Sequence, residues 1–108
     1  MGDKDDFEGL LARIRDAEHP HYGSLCWNGK SRSLTETVLF KEDGNHEPDR
    51  VIRDRAVRYL AGLTPKEREA ADIVVVLREG SPVRAEIRAE TSELSPARLR
   101  ELRERAGL

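Results

Sequence analysis

The stretch HYGSLCWNGKSRS, residues 21–33, gathers an unusual number of groups able to do chemistry: His21, Cys26, Trp27, Lys30 and Arg32, around a Gly-Lys-Ser. A phosphate-binding loop is the first chemistry to test. That motif needs a glycine, four residues, then Gly-Lys-Ser or Gly-Lys-Thr. It must also sit between a buried strand and a helix whose first amides and dipole hold the phosphates. Here five residues separate Gly23 from Gly29, the stretch 32–40 is strand-like, and a helix and His-Pro-His lie upstream. The motif fails on spacing and on both flanks. The segment reads instead as a β-hairpin turning at Asn28-Gly29, since both residues tolerate positive φ.

His19, His21, Cys26 and His46 are the residues suited to a soft or borderline metal. His-x-His on an extended segment can place two rings on one side, but no Cys-x-x-Cys or His-x₃-His spacing accompanies it, so no metal and no cofactor are expected. General acid–base work by His19 or His21 beside Arg32 or a carboxylate would suit a small nuclease or hydrolase, and that reading stays open. Cys26 lies in a strand pattern with no local feature that would lower its pKa, so it is not expected to act as a nucleophile.

Binding chemistry is better represented than catalysis. Trp27, Lys30 and Arg32 place an indole beside two cations, a combination suited to a protein contact. A second candidate contact is the alternating run Arg84, Glu86, Arg88, which puts charge on one face of a strand. Arginines crowd two helical segments: Arg50, Arg53, Arg55 and Arg58, then Arg98, Arg100, Arg103 and Arg105. Interspersed acids make most of this an ion-paired, solvated face. The alternative is a nucleic-acid footprint carried by Arg50, Arg53, Arg58, Arg98 and Arg105.

The elements that must position these residues follow from periodicity. Phe7, Leu10, Leu11 and Ile14 mark one helical face over 5–17, ended by His19-Pro20. Two strands, 21–27 and 33–41, flank Asn28-Gly29. A second helix fits 48–61, with Ile52, Ala56, Tyr59 and Leu60 as its apolar stripe and Leu63 beyond. Thr64-Pro65-Lys66-Glu67 is a capping box that opens a short third helix to about Ala71. IVVVL at 73–77 and VRAEIRAE at 83–90 form a second hairpin around Gly80-Ser81-Pro82. A last helix starts at Ser95, with Leu94 placed to staple onto Leu99, and ends near Gly107. The order α-ββ-α-α-ββ-α predicts an α+β fold: a four-stranded, mainly antiparallel sheet built from two hairpins, with helices on one face.

The final stretch, LSPARLRELRERAGL, is similar over about fourteen residues to the opening helix of phage-repressor-type helix-turn-helix domains. That resemblance implies a glycine turn, a second helix and a recognition helix to follow. No such reading element is expected within these 108 residues.

Composition bounds the rest. One domain spanning 1–108 is the natural reading, and a chain of this size buries roughly two thirds of its unfolded surface. Aromatics are 5%, so aliphatic residues must supply most of the burial. Charged residues reach 37%, yet net charge is −2, so nothing draws the whole molecule to nucleic acid or anionic lipid. The halves differ: residues 1–49 hold six Lys/Arg against eleven Asp/Glu, and 50–108 hold thirteen against ten. The fifteen arginines to four lysines fit both planar recognition of anions and a GC-rich coding genome. One cysteine, an acidic N-terminus and no long apolar run predict a soluble cytoplasmic protein without internal disulfide, signal peptide or membrane span.

The pentapeptide Ile73–Leu77 carries the functional expectation. It is apolar towards both sides, whereas its partner strand is charged on one. Strands of that kind are covered twice, by a helix or by another molecule. The expected function is therefore non-enzymatic protein binding, in the manner of an inhibitor, immunity protein or antitoxin, with a homodimer as one way to cover the strand.

Overall fold

Each helix forms where the apolar spacing and capping chemistry place it. In the computed structural model, which describes residues 3–16, 23–29, 34–41 and 47–108, helix α1 spans Asp3–Arg15. Phe7, Leu10, Leu11 and Ile14 are all buried along one side of it. Helix α2 (Asp49–Ala61) buries Ile52, Ala56, Val57, Tyr59 and Leu60. Helix α3 (Pro65–Ala70) starts at the expected capping box: the Thr64 hydroxyl accepts from the Glu67 amide, and the Thr64 amide donates to Glu67 Oε1 at 2.8 Å. Helix α4 (Pro96–Arg105) is capped by the Ser95 hydroxyl, with Leu94 and Leu99 both buried behind it.

Four strands, β1 (Gly23–Trp27), β2 (Leu34–Leu39), β3 (Ala71–Arg78) and β4 (Ser81–Ala89), form one antiparallel sheet in the order β1-β3-β4-β2. The expected α+β class and element order hold. β3 and β4 form the second hairpin, but its turn lies at Glu79-Gly80 rather than 80–82. Both residues have positive φ, 54° and 80°, as a two-residue turn matched to strand twist requires. Ser81 and Pro82 belong to β4. The register shifts between Val76 and Leu77, so that Val76 opposes Arg84 and Leu77 opposes Pro82. That bulge accommodates a proline inside a central strand.

The first hairpin does not form. β1 and β2 lie on opposite edges of the sheet, with β3 and β4 between them. Three inter-strand spacings separate them, about 14 Å, and a six-residue connection can span roughly 20 Å, so the crossing is within reach. Pairing with β3 gives β1 more than a local hairpin could. Trp27 becomes 2% exposed, donates its indole N–H to the Arg68 carbonyl at 2.7 Å, and meets Phe7 edge-on at 5.2 Å. Asn28-Gly29 is therefore no turn between paired strands. The Gly29 amide donates to the Asp72 carboxylate, and a Cβ on Gly29 would lie 2.6 Å from the Glu69 carbonyl. Glycine is needed there for close approach of backbones.

The core lies between the helices and one face of the sheet. Leu25 and Trp27, Ile73, Val75 and Leu77, Ala85, Ile87 and Ala89, and Val38 all point into it. Helices α3 and α4 are tied by an ion pair: Arg98 bonds Glu67 through Nε at 2.7 Å, and its Nη2 also reaches the Gly62 carbonyl at 2.8 Å. Burial by itself would raise the Glu67 carboxyl. The Arg98 guanidinium and the Thr64 amide outweigh it and hold the group below its ordinary value. Among the described residues, no helix is long and apolar enough to cross a membrane.

Candidate functional site

All described helices cover one face of the sheet, so among the described residues the opposite face is open, and the strand register specifies what it displays. Three rows run across it. The first is Ser24, Val76, Arg84 and Leu39; the second is Cys26, Val74, Glu86 and Thr37; the third is Asp72, Arg88 and Thr35. Successive residues on this face stand about 6.7 Å apart along a strand, and neighbouring strands about 4.8 Å apart. Arg84, Arg88, Cys26, Thr35 and Thr37 are exposed, whereas Val74, Val76, Asp72 and Glu86 are half-buried. Leu39 is 48% exposed, at the β2 edge of the first row.

This arrangement departs from an ordinary solvated sheet face, where outward positions are polar. Two valines occupy the centre of β3, flanked by Arg84 and Glu86 of β4 and by Ser24 and Cys26 of β1. The expectation that Ile73–Leu77 is covered on both sides is half met. Ile73, Val75 and Leu77 are at most 1% exposed, while Val74 and Val76 remain partly open. No helix of the described chain supplies the second cover, because the core is large enough to need all of them on one side.

The sequence-derived contact residues separate. Arg84, Glu86 and Arg88 share the open face as expected. Trp27 does not: its burial and its bond to Arg68 remove the indole from any exposed contact. Lys30 and Arg32 lie outside the described residues, as do His19, His21 and His46. Cys26 is exposed on β1. Among the described residues, no group of three His, Cys, Asp or Glu side chains is placed to hold a metal ion.

The arginines have unlike roles. Arg98 is committed to Glu67 and Gly62, and it also pairs with Glu101. Arg58 pairs with Asp54 at 2.9 Å one turn away, and Arg105 is exposed on α4. Arg50 and Arg53 line a cleft of about 360 Å³ together with Arg15, Asp54 and Val57. Arg103 reaches across to β2, where it bonds the Glu36 carboxylate and donates to the Thr37 carbonyl at 2.7 Å.

Sequence reasoning missed Leu39, although alternation along LTETVL separates Thr35, Thr37 and Leu39 from Leu34, Glu36 and Val38. It also missed a second cleft, of about 290 Å³, between α1 and the β1 edge. No local signal marks that cleft, because it needs β1 at the rim of the sheet. A scan against models of known protein families found no match, and searches of curated proteins and of solved structures also found none.

Proposed function

We propose that this chain is a non-enzymatic module that binds another protein through the open face of its sheet, acting as a regulator or inhibitor of that partner. The observation that carries this reading is the pair Val74 and Val76, partly open at the centre of an uncovered face. Arg84, Glu86 and Arg88 run beside them, and Leu39 adds an exposed apolar side chain beyond Arg84 at the β2 edge. Apolar anchors within a charged surround are how contact surfaces divide labour: desolvation of the centre supplies affinity, and charge pattern supplies partner choice and on-rate. The Arg84–Glu86–Arg88 alternation favours a partner surface of alternating sign over a uniformly acidic one.

The test is capture at low ionic strength by the immobilised chain, compared with Val76→Lys and with the double variant Arg84→Glu/Arg88→Glu. A partner held by the wild type and lost by both variants, with circular dichroism unchanged, supports the reading. Equal capture by all three removes the sheet face from it.

A second reading, nucleic-acid binding, draws on the cleft where Arg15, Arg50 and Arg53 converge. It requires an affinity that falls steeply with salt. A gel-shift series without a shift at low salt eliminates it.

A further inference from the structure

The two edges of the sheet are finished differently. At the β2 edge, Arg103 donates to the Thr37 carbonyl and bonds Glu36, so an outward backbone group is already occupied and a charged pair guards the rim. These are the devices that keep edge strands from pairing with other chains. Among the described residues the β1 edge shows neither device: Gly23, Ser24, Leu25, Cys26 and Trp27 include no charge and no proline. Beside it runs the 290 Å³ cleft, lined by Leu25 and Cys26 of β1 and by Asp6, Gly9, Leu10 and Arg13 of α1.

Those four helical residues lie at spacings of three, four and seven, hence along one side of α1. Asp6 and Arg13 stand about 10.5 Å apart along the axis, with Gly9 and Leu10 midway between them. Both charges are exposed, and neither forms an ion pair among the described residues. Beyond the backbone of its own helix and its chain neighbours, no described atom lies within 4 Å of the place where a Cβ on Gly9 would sit. Glycine is a poor helix former, so its presence at mid-helix over open space makes sense where a second backbone comes close.

We infer that the β1 edge and the adjoining side of α1 bind a second copy of this chain. Two β1 strands pair antiparallel about a two-fold axis, joining the sheets into one of eight strands. The same axis passes beside α1 at the level of Gly9 and Leu10. A two-fold contact is self-complementary: residue i meets j, and j meets i. Antiparallel copies of α1 related at that level bring Asp6 of each against Arg13 of the other. The charge pattern of this cleft therefore matches its own image, which an unrelated peptide would have no reason to do. Both open sheet faces end on the same side of the dimer. The surface proposed above for partner binding is duplicated rather than consumed, and this inference does not depend on that reading.

Sedimentation equilibrium over a wide concentration range tests it, with each variant's fold checked by circular dichroism. The wild type should reach twice the monomer mass. Asp6→Arg and Arg13→Asp should each weaken association at least tenfold, and the double variant Asp6→Arg/Arg13→Asp should restore it. Gly9→Gln should raise the monomer's melting temperature, because glutamine is the better helix former, and abolish the dimer. Cys26, the single cysteine of the chain, lies beside the axis, so a short bismaleimide should cross-link the wild type and fail on Gly9→Gln. A protein that stays monomeric throughout overturns the inference. So does a dimer indifferent to Gly9→Gln and both charge reversals; if Val76→Lys alone dissolves that dimer, the second copy sits on the open face instead.

Discussion

The two faces of this sheet are made by the same four strands, yet they follow opposite rules. On the covered face, Ile73, Val75, Leu77, Ala85 and Ile87 are at most 1% exposed and belong to one hydrophobic cluster with buried residues of α1, α2 and α4. On the open face, the residues between them alternate valine with arginine, glutamate, aspartate and threonine. Neighbours in sequence thus face environments that differ in almost everything except backbone. The covered face is specified by volume and dryness, whereas the open face sets half-buried valines beside exposed charge. The packing that holds the fold together lies on one side of each strand, so substitutions one residue apart should act on different properties.

The largest expected effect is on the covered side. Ile73→Ala removes a fully buried side chain in the middle of β3 and should cost about 2–5 kcal/mol, read as a lower midpoint in urea with little change in slope. A loss below about 1 kcal/mol would mean that the covered face is far looser than its burial indicates.

Next comes the ion pair within the helix layer. Glu67→Gln removes the buried counter-charge of Arg98, leaving only the exposed Glu101, and should cost roughly 2–3 kcal/mol at neutral pH, less than a fully buried pair because Arg98 keeps some contact with water. The folded Glu67 carboxyl lies below its ordinary 4.5, so its contribution is complete above that pH and is lost as pH falls through the folded value. The gap between wild type and Glu67→Gln should therefore be constant from pH 7 down to about 4.5 and close in more acid solution. A gap independent of pH would assign the loss to packing.

Tyr59 offers a smaller effect of opposite sign. Its ring is fully buried and meets Phe40 edge-on, while its hydroxyl makes no hydrogen bond to any described residue. Burial, reinforced by the Glu36 charge, raises the hydroxyl well above its ordinary value, so it stays protonated. Tyr59→Phe removes an unsatisfied donor at almost constant volume and should stabilise by about 1 kcal/mol. Destabilisation would reveal a hydroxyl doing structural service.

The smallest effect sharpens the comparison most. Val76→Lys, beside the buried Leu77, should change stability by no more than about 0.5 kcal/mol, since a lysine stem can lie along the sheet with its ammonium in water. The same substitution should abolish partner capture. A large stability loss there would erase the distinction between the two faces.

Much of this architecture was legible in local sequence because its causes are local. The apolar stripe of α1, the reciprocal bonds of Thr64 and Glu67, and the alternation from Arg84 to Arg88 need only near neighbours. The open face could be half-read: a strand apolar on both sides next to a strand charged on one implies that some apolar group shares the charged surface, and Val74 and Val76 do. The first hairpin was misread because Asn28-Gly29 is a strong short-range turn signal, and nothing within ten residues announces Asp72 or the Arg68 carbonyl. The β1–α1 cleft was invisible for the same reason.

What the chain determines by itself, then, is the kind and order of its elements and which side of each is dry, since periodicity and capping act over a few residues. Which strands become neighbours was settled only in three dimensions. There, burying Trp27 against Phe7 and satisfying two distant polar groups outweighed the turn that the local residues favour. That choice put β1 on the rim of the sheet, and with it the charged, glycine-centred side of α1 that local sequence had no means of pairing.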